Sequence, residues 1–181
     1  MFCRPRCLSG KMDPLTYKKM ILPIKDKLYR LAKMMLQTRE EAEDALQDVL
    51  LKLWDNRQNL AGYRSVEALA MRMTKNQCLN RLKSPQYRRG PDAHAVEVGS
   101  AELPPDRSLE VHDSLRLMQR LVENLPPQQQ LVLHLRNVEG YDYEEIEEIT
   151  GMTVNAIRVN LSRARQQLKE QFSRIDNYEN Q

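Results

Sequence analysis

The stretch YEEIEEITGMTVNAIRVNLSRARQQLK, Tyr143–Lys169, decides the fold. Its first half places Ile146 and Ile149 on one side of a short helix and surrounds them with Glu144, Glu145, Glu147 and Glu148. Gly151 suits the left-handed residue of a tight turn, where a Cβ would clash. Thr153 is an N-cap for a second helix, along which Val154, Ile157, Leu161, Ala164 and Leu168 recur at steps of three and four. At about 100° per residue, the face turned away from that stripe carries Asn155, Arg158, Val159, Ser162, Arg163, Gln166 and Lys169. The spacing predicts a helix-turn-helix.

Charge says which of its helices meets a polyanion. No acid lies between Thr153 and Lys169, whereas Glu139–Glu148 holds six acids and no base. The second helix is therefore the DNA-facing one, with groove-directed side chains in its first half and cations for phosphates. Val159 sits about 180° from the mean direction of the buried stripe, so it is expected to be exposed and suited to a thymine methyl. An amphipathic hairpin with solvated charges shares this spacing, so the rest of the chain has to separate the two readings.

Upstream the pattern is helical throughout. Tyr17, Met20, Ile21, Ile24, Leu28, Leu31 and Met35 give a helix period, with Pro23 expected to kink it or divide it in two. Thr38 and Glu41 form a capping box before a helix whose Ala42, Ala45, Leu46, Val49, Leu50, Leu53 and Trp54 make a buried face. Glu40, Glu43, Asp44, Gln47 and Asp48 form an acidic ridge on its other side, fit for a basic partner or for solvent. Asn56–Arg64 reads as a loop with Gly62 as its turn residue. Between Ser65 and Gly90, six bases stand against one acid. A helix through Val66, Leu69, Met73, Leu79 and Leu82 is expected to leave Arg72, Lys75, Asn76, Asn80 and Lys83 on a polar face able to meet a nucleic-acid backbone and bases.

Four of the nine prolines and two glycines fall between Pro85 and Pro105, and Pro91–Asp113 carries six acids against Arg107 alone, which reads as a flexible acidic linker. Helical spacing resumes at Leu115, Met118, Leu121, Val122 and Leu125, breaks at Pro126–Pro127 and restarts through Leu131, Val132, Leu135 and Val138. The expected fold is all-α: a first domain over 13–85, a linker over 86–110 and a helix-turn-helix domain over 111–174.

Composition excludes other classes. The 181 residues are 41% hydrophobic and 29% charged, with 2 Phe and 1 Trp, which suits small helical units. No apolar run approaches a membrane span, and MFCRPRCLSGK has no apolar signal core, so membrane insertion is not expected; Met12 is an alternative start. Cys3, Cys7 and Cys78 are odd in number and, with His94, His112 and His134, form no metal-ligand spacing, so no cofactor is expected and a reducing cytoplasm is the expected setting. Metal-protease, P-loop and serine-elbow motifs are missing, so no catalytic residue is assigned.

The order of the elements resembles the extracytoplasmic-function (ECF) group of the bacterial sigma-70 family. Ala42–Trp54, Thr74–Lys83, Leu125–Ile146 and Thr153–Arg165 carry the resemblance. It implies a promoter-specificity subunit whose partners are core RNA polymerase, promoter DNA and a separate anti-sigma factor. By the same resemblance Asp44, Gln47, Asp48 and Leu51 belong to the core-binding helix, and Lys75, Asn76 and Asn80 to the helix that reads the minus-ten element. The Asn56–Arg64 loop becomes part of a flipped-base pocket, and Asn155, Arg158, Val159, Asn160, Ser162 and Arg163 face the minus-thirty-five element. The chain departs from the family pattern at Asn80, often Asp; at Glu147, usually Ala; and at Val159 and Asn160, commonly Ser and Arg. Competing readings are an autonomous helix-turn-helix regulator, which would bind duplex without polymerase, and an interaction-only adaptor, against which the basic second helix argues.

Overall fold

The structure is a computed structural model that describes residues 13–36, 38–84 and 117–179, the side chains of 175–179 excepted. The chain divides into two units, Met1–Val96 and Glu97–Gln181. The expected linker lies outside the described residues. Every regular element among the described residues is helical.

In the first unit, α1 (Pro14–Met35) starts at Asp13, whose carboxylate accepts from the Thr16 amide at 2.9 Å, with Pro14 in the first turn where its missing N–H costs nothing. Of the two outcomes expected at Pro23, the division into two helices does not occur: α1 runs through Pro23 as one helix. Pro23 and Lys19, the residue whose carbonyl loses its partner, are both exposed, so water meets that carbonyl. Ile21, Ile24, Leu28 and Leu31 are buried on both sides of the proline, and their common burial favours a continuous helix. Helix α2 (Arg39–Asp55) is capped by the Thr38 hydroxyl, which accepts from the Glu41 amide at 3.2 Å. Its Ala42, Ala45, Leu46, Val49 and Leu53 are buried.

The expected loop after α2 is also corrected. Arg57–Gly62 is a short 3-10 helix, held inward by the fully buried Leu60, and Gly62 does not take a positive φ. The Arg57 guanidinium lies 4.2 Å from the centre of the Trp54 ring and donates to the Trp54 carbonyl. Tyr17 meets the same ring edge-on at 5.0 Å and donates its hydroxyl to the Leu50 carbonyl at 2.9 Å, which pins the start of α1 to the end of α2.

Helix α3 (Val66–Lys83), capped by Ser65, packs on both α1 and α2, and Lys27 of α1 reaches Glu67 in its first turn at 2.7 Å. Residues 68–71 are all buried, and beyond them the inward line runs through Thr74, Lys75 and Cys78. The expected apolar line is corrected accordingly: Leu79 is exposed, while Met71, Thr74 and Cys78 are buried. Thr74 satisfies its hydroxyl on the Ala70 carbonyl at 2.9 Å. Cys78 joins Ala32, Leu36, Ala42 and Ala45 in a buried apolar cluster, and burial pushes its thiol up to about 12.

In the second unit a helix over 117–123, α4, buries Leu121 and ends above Leu125, also buried. Gln130 donates to the carbonyls of Glu123 and Leu125, meeting the acceptors that α4 leaves open. Helix α5 (Pro127–Leu133) continues into a π-turn, His134–Val138, in which the Glu139 amide reaches back to the His134 carbonyl. His134 Nε2 lies 3.2 Å from Glu139 Oε1, with the Glu139 side chain fully buried and that of His134 partly so. Gly140, at φ 79°, turns the chain into α6 (Tyr143–Thr150), and α7 (Val154–Glu179) packs against both α5 and α6.

Two outcomes follow from this packing. Gly151→Ala should destabilise the second unit by about 1–2 kcal/mol, from left-handed strain alone since nothing crowds an added Cβ, while Gly62→Ala should be neutral or slightly stabilising. Urea unfolding followed by Trp54 fluorescence reads the first unit, and the part of the circular-dichroism transition that the fluorescence does not follow reads the second. The raised Cys78 thiol means that the folded state keeps a proton which the unfolded chain gives up, so its stabilising contribution is complete below the ordinary thiol range near 9 and is lost as pH rises toward about 12. Trp54-monitored urea midpoints should therefore fall between pH 9 and 12, and fall less in Cys78→Ala.

Candidate nucleic-acid interface

The helix-turn-helix is fixed at both ends of its first helix. Asp142 accepts from the Glu145 amide at 2.8 Å while Glu145 accepts from the Asp142 amide at 2.9 Å, a complete capping box that the D-x-x-E spacing makes legible. At the other end Gly151 sits at φ 77°, and the Thr150 hydroxyl donates to Ile146 and accepts from the Met152 amide. The Thr153 hydroxyl then accepts from the Ala156 amide at 3.3 Å and starts α7. Ile146, Ile149, Ile157, Leu161 and Ala164 are all buried, so α6 sets the rotation of α7. Glu147, where a small residue was expected, is exposed and outside this core.

That rotation leaves Asn155, Arg158, Ser162 and Arg163 exposed on one face of α7, and Val159 with them at 39% exposure. Asn160 differs: it is half-buried and its side-chain amide donates to the Ala156 carbonyl at 2.9 Å. Arg158 has a support that helical spacing did not reveal. Its guanidinium lies 5.1 Å from the centre of the Tyr143 ring, and Arg136, bonded to the Tyr141 carbonyl at 2.7 Å, lies 4.9 Å from the same centre. Each is a contact between elements, so no spacing along α7 alone encodes it.

In the first unit, Asn76 and Asn80 are exposed on α3 beside Leu79 and Lys83, with Arg72 half-buried on the same side. Lys75 does not join them, which corrects its expected place on the polar face. It is 9% exposed on the side of Met71 and Cys78, and burial, with a smaller contribution from Arg72, holds its ammonium below the usual lysine range. On α2, Asp44, Gln47 and Leu51 lie opposite the buried side, and Leu51 is 62% exposed. Asp48 faces α3 instead: its Oδ2 accepts from Arg81 at 2.6 Å and from Gln77 at 2.8 Å. Gln77 in turn accepts from Lys52 at 2.6 Å, and Arg81 lies 3.9 Å from Asp44. Glu43 of the expected ridge is likewise engaged, by Arg39.

The family model for Sigma-70 region 2 matches residues 20–89, and that for Sigma-70, region 4 matches residues 115–168. Similar proteins include the ECF RNA polymerase sigma factor SigM of Mycobacterium tuberculosis, 27% identical over 141 residues that span 78% of this chain and 69% of the relative. SigW of Bacillus subtilis, another ECF RNA polymerase sigma factor, is 26% identical over 158 residues, 82% of this chain and 84% of that protein. Among solved structures, the sigma factor RpoE from Bartonella quintana, crystallised in complex with the anti-sigma factor NepR, shares the fold with a TM-score of 0.66 at 23% identity, over 87% of this chain and 96% of that one. With one sigma-70 region on each helical unit, in chain order, and relatives of the ECF kind along most of its length, the chain belongs to the extracytoplasmic-function group of the sigma-70 family of RNA polymerase sigma factors.

Proposed function

We propose that the two helical units divide the work of a sigma factor, which binds core RNA polymerase and directs promoter-specific transcription initiation. In the first unit the open face of α2, with Asp44, Gln47 and Leu51 at its centre and Asp48 on its flank, docks on core polymerase. The Asn76 and Asn80 face of α3 meets the minus-ten element, with Lys75 supporting that helix from beneath. In the second unit α7 lies in the major groove of the minus-thirty-five element, where Asn155, Arg158, Val159, Ser162 and Arg163 face the DNA and Asn160 shapes the helix surface beside them. The functional domains are residues 13–85 and 111–174, joined by 86–110. The polymerase supplies the chemistry and this chain no catalytic group. Its setting is the bacterial cytoplasm, and a separate anti-sigma factor holds it in check.

One observation supports this reading most directly. From Val154 to Lys169 the exposed face of α7 carries cations, amides and one β-branched residue with no acid, while α6, pressed against its other side, exposes Glu144, Glu145 and Glu147. Such segregation suits a helix that meets phosphates on one face only. Run-off transcription by core polymerase with and without the chain tests the whole reading, and an autonomous regulator would instead bind duplex DNA in the absence of core.

Two finer outcomes are expected. Val159→Ser should change stability little and relax preference at one minus-thirty-five base pair, whereas Arg163→Ala should lose about 1–3 kcal/mol of promoter binding if it reads a base, or mainly reduce the salt slope if it holds phosphate. Holoenzyme binding across single-base promoter variants at two salt concentrations distinguishes these, and an unchanged preference in the Val159 variant removes it from the readout face. On α2, Leu51→Asp should weaken core binding with no loss of helical content, because Leu51 is 62% exposed and supports no part of the core. It is a cleaner probe than Asp48→Lys, which would also break the bonds to Arg81 and Gln77.

A further inference from the structure

Among the cations of α3, Arg81 is bonded to the acidic side of α2. Its Nη2 is 2.6 Å from Asp48 Oδ2, its Nη1 is 3.9 Å from Asp44 Oδ2, and its side chain is 26% exposed. Gln77, one turn earlier, donates to the same Asp48 oxygen. Arg81 directly follows Asn80, and on a helix it stands beside the Asn76–Asn80 face, within reach of a strand laid along it. One guanidinium thus lies between the acids proposed to dock on polymerase and the face proposed to meet the promoter.

We propose that Arg81 is a positioning cation shared between these two surfaces: it covers Asp44 and Asp48 in the free chain and moves to the promoter backbone when polymerase takes those acids. This inference rests on the docking role of α2 given above. The exchange is physically cheap in one direction. A half-exposed ion pair is weak and screened, so a basic polymerase surface can displace Arg81 at small cost. A guanidinium freed beside Asn80 then finds phosphate, its preferred partner, only when DNA arrives. By linkage, core binding and promoter binding favour each other through this one side chain. A static brace would hold α3 to α2 in every state and would make neither binding step depend on the other.

The test uses the full chain, bacterial core RNA polymerase, and a promoter selected by the wild-type holoenzyme from a random library. Arg81→Gln should tighten core binding by about two- to five-fold, the displacement cost of a weak ion pair. It should also weaken holoenzyme binding to the promoter and lower the salt slope by about one. Arg81→Lys, which keeps the charge, should return the salt slope to the wild-type value. Core affinity that is unchanged or reduced in Arg81→Gln overturns the proposal, as does an unchanged salt slope. Should that variant fail to fold, Gln77→Leu decides the matter: loss of one donor from Asp48 should raise core affinity and leave the promoter salt slope alone, and lower or unaltered core affinity rejects the exchange. Leu51→Asp run in parallel separates the layers. If it leaves core binding intact, α2 is not the docking helix and the underlying reading fails; if it abolishes binding while Arg81→Gln changes nothing, only the shared cation is rejected.

Discussion

An eight-residue helix does not persist in water by itself, and the orientation of the long helix of the second unit depends on one. Helix α6 exists because both of its ends are satisfied locally, by the reciprocal Asp142 and Glu145 bonds and by the left-handed Gly151, and because Ile146 and Ile149 are buried. Once α6 is fixed, Ile157, Leu161 and Ala164 are buried against α5 and α6 together, and the azimuth of α7 follows. The exposed face of a recognition helix is in this sense a by-product of what its other face must bury. The π-turn at His134–Val138 and Gly140 bring the preceding segment round to the start of α6, so this dependence extends back to α5.

The first unit solves a different problem. Three helices share one core, each lying against both of the others. In α3 residues 68–71 are all buried, so its exposed side chains come after them, where the inward line runs through Thr74, Lys75 and Cys78. Lys75 shows what a place on that line costs: its ammonium is held below its ordinary range by burial, while Asn76, one residue on, is exposed. The polar chain of Lys52, Gln77, Asp48 and Arg81 along the α2–α3 seam lets charged side chains lie at the edge of an apolar contact with their hydrogen-bonding groups engaged.

The two helical units therefore rest on two kinds of support. The second unit uses backbone devices, caps and left-handed glycines, to orient a single long helix. The first uses side-chain packing among three helices that each touch the other two, with contacts of Tyr17 and Arg57 on the Trp54 ring beside it.

Where a helix has one buried side, its sequence was enough. The stripe of α7, the turn at Gly151, the cap at Thr153, the exposure of Val159 and the buried side of α2 were all legible, because a single period of about 3.6 residues links spacing to face. The sequence also carried the family, through the order of its motifs and the reversal of charge from α6 to α7. Tertiary structure alone decided the rest. Pro23 stays inside α1 because residues on both sides of it are buried in the same core. Lys75 turns inward and Leu79 outward because the buried line of α3 runs through Met71, Thr74, Lys75 and Cys78, and polar residues on that line hide it from a reading of apolar spacing. Asp48 belongs to Arg81 and Gln77, and Arg158 lies over Tyr143, through contacts between residues 29, 33 and 15 positions apart, distances over which local spacing carries no information.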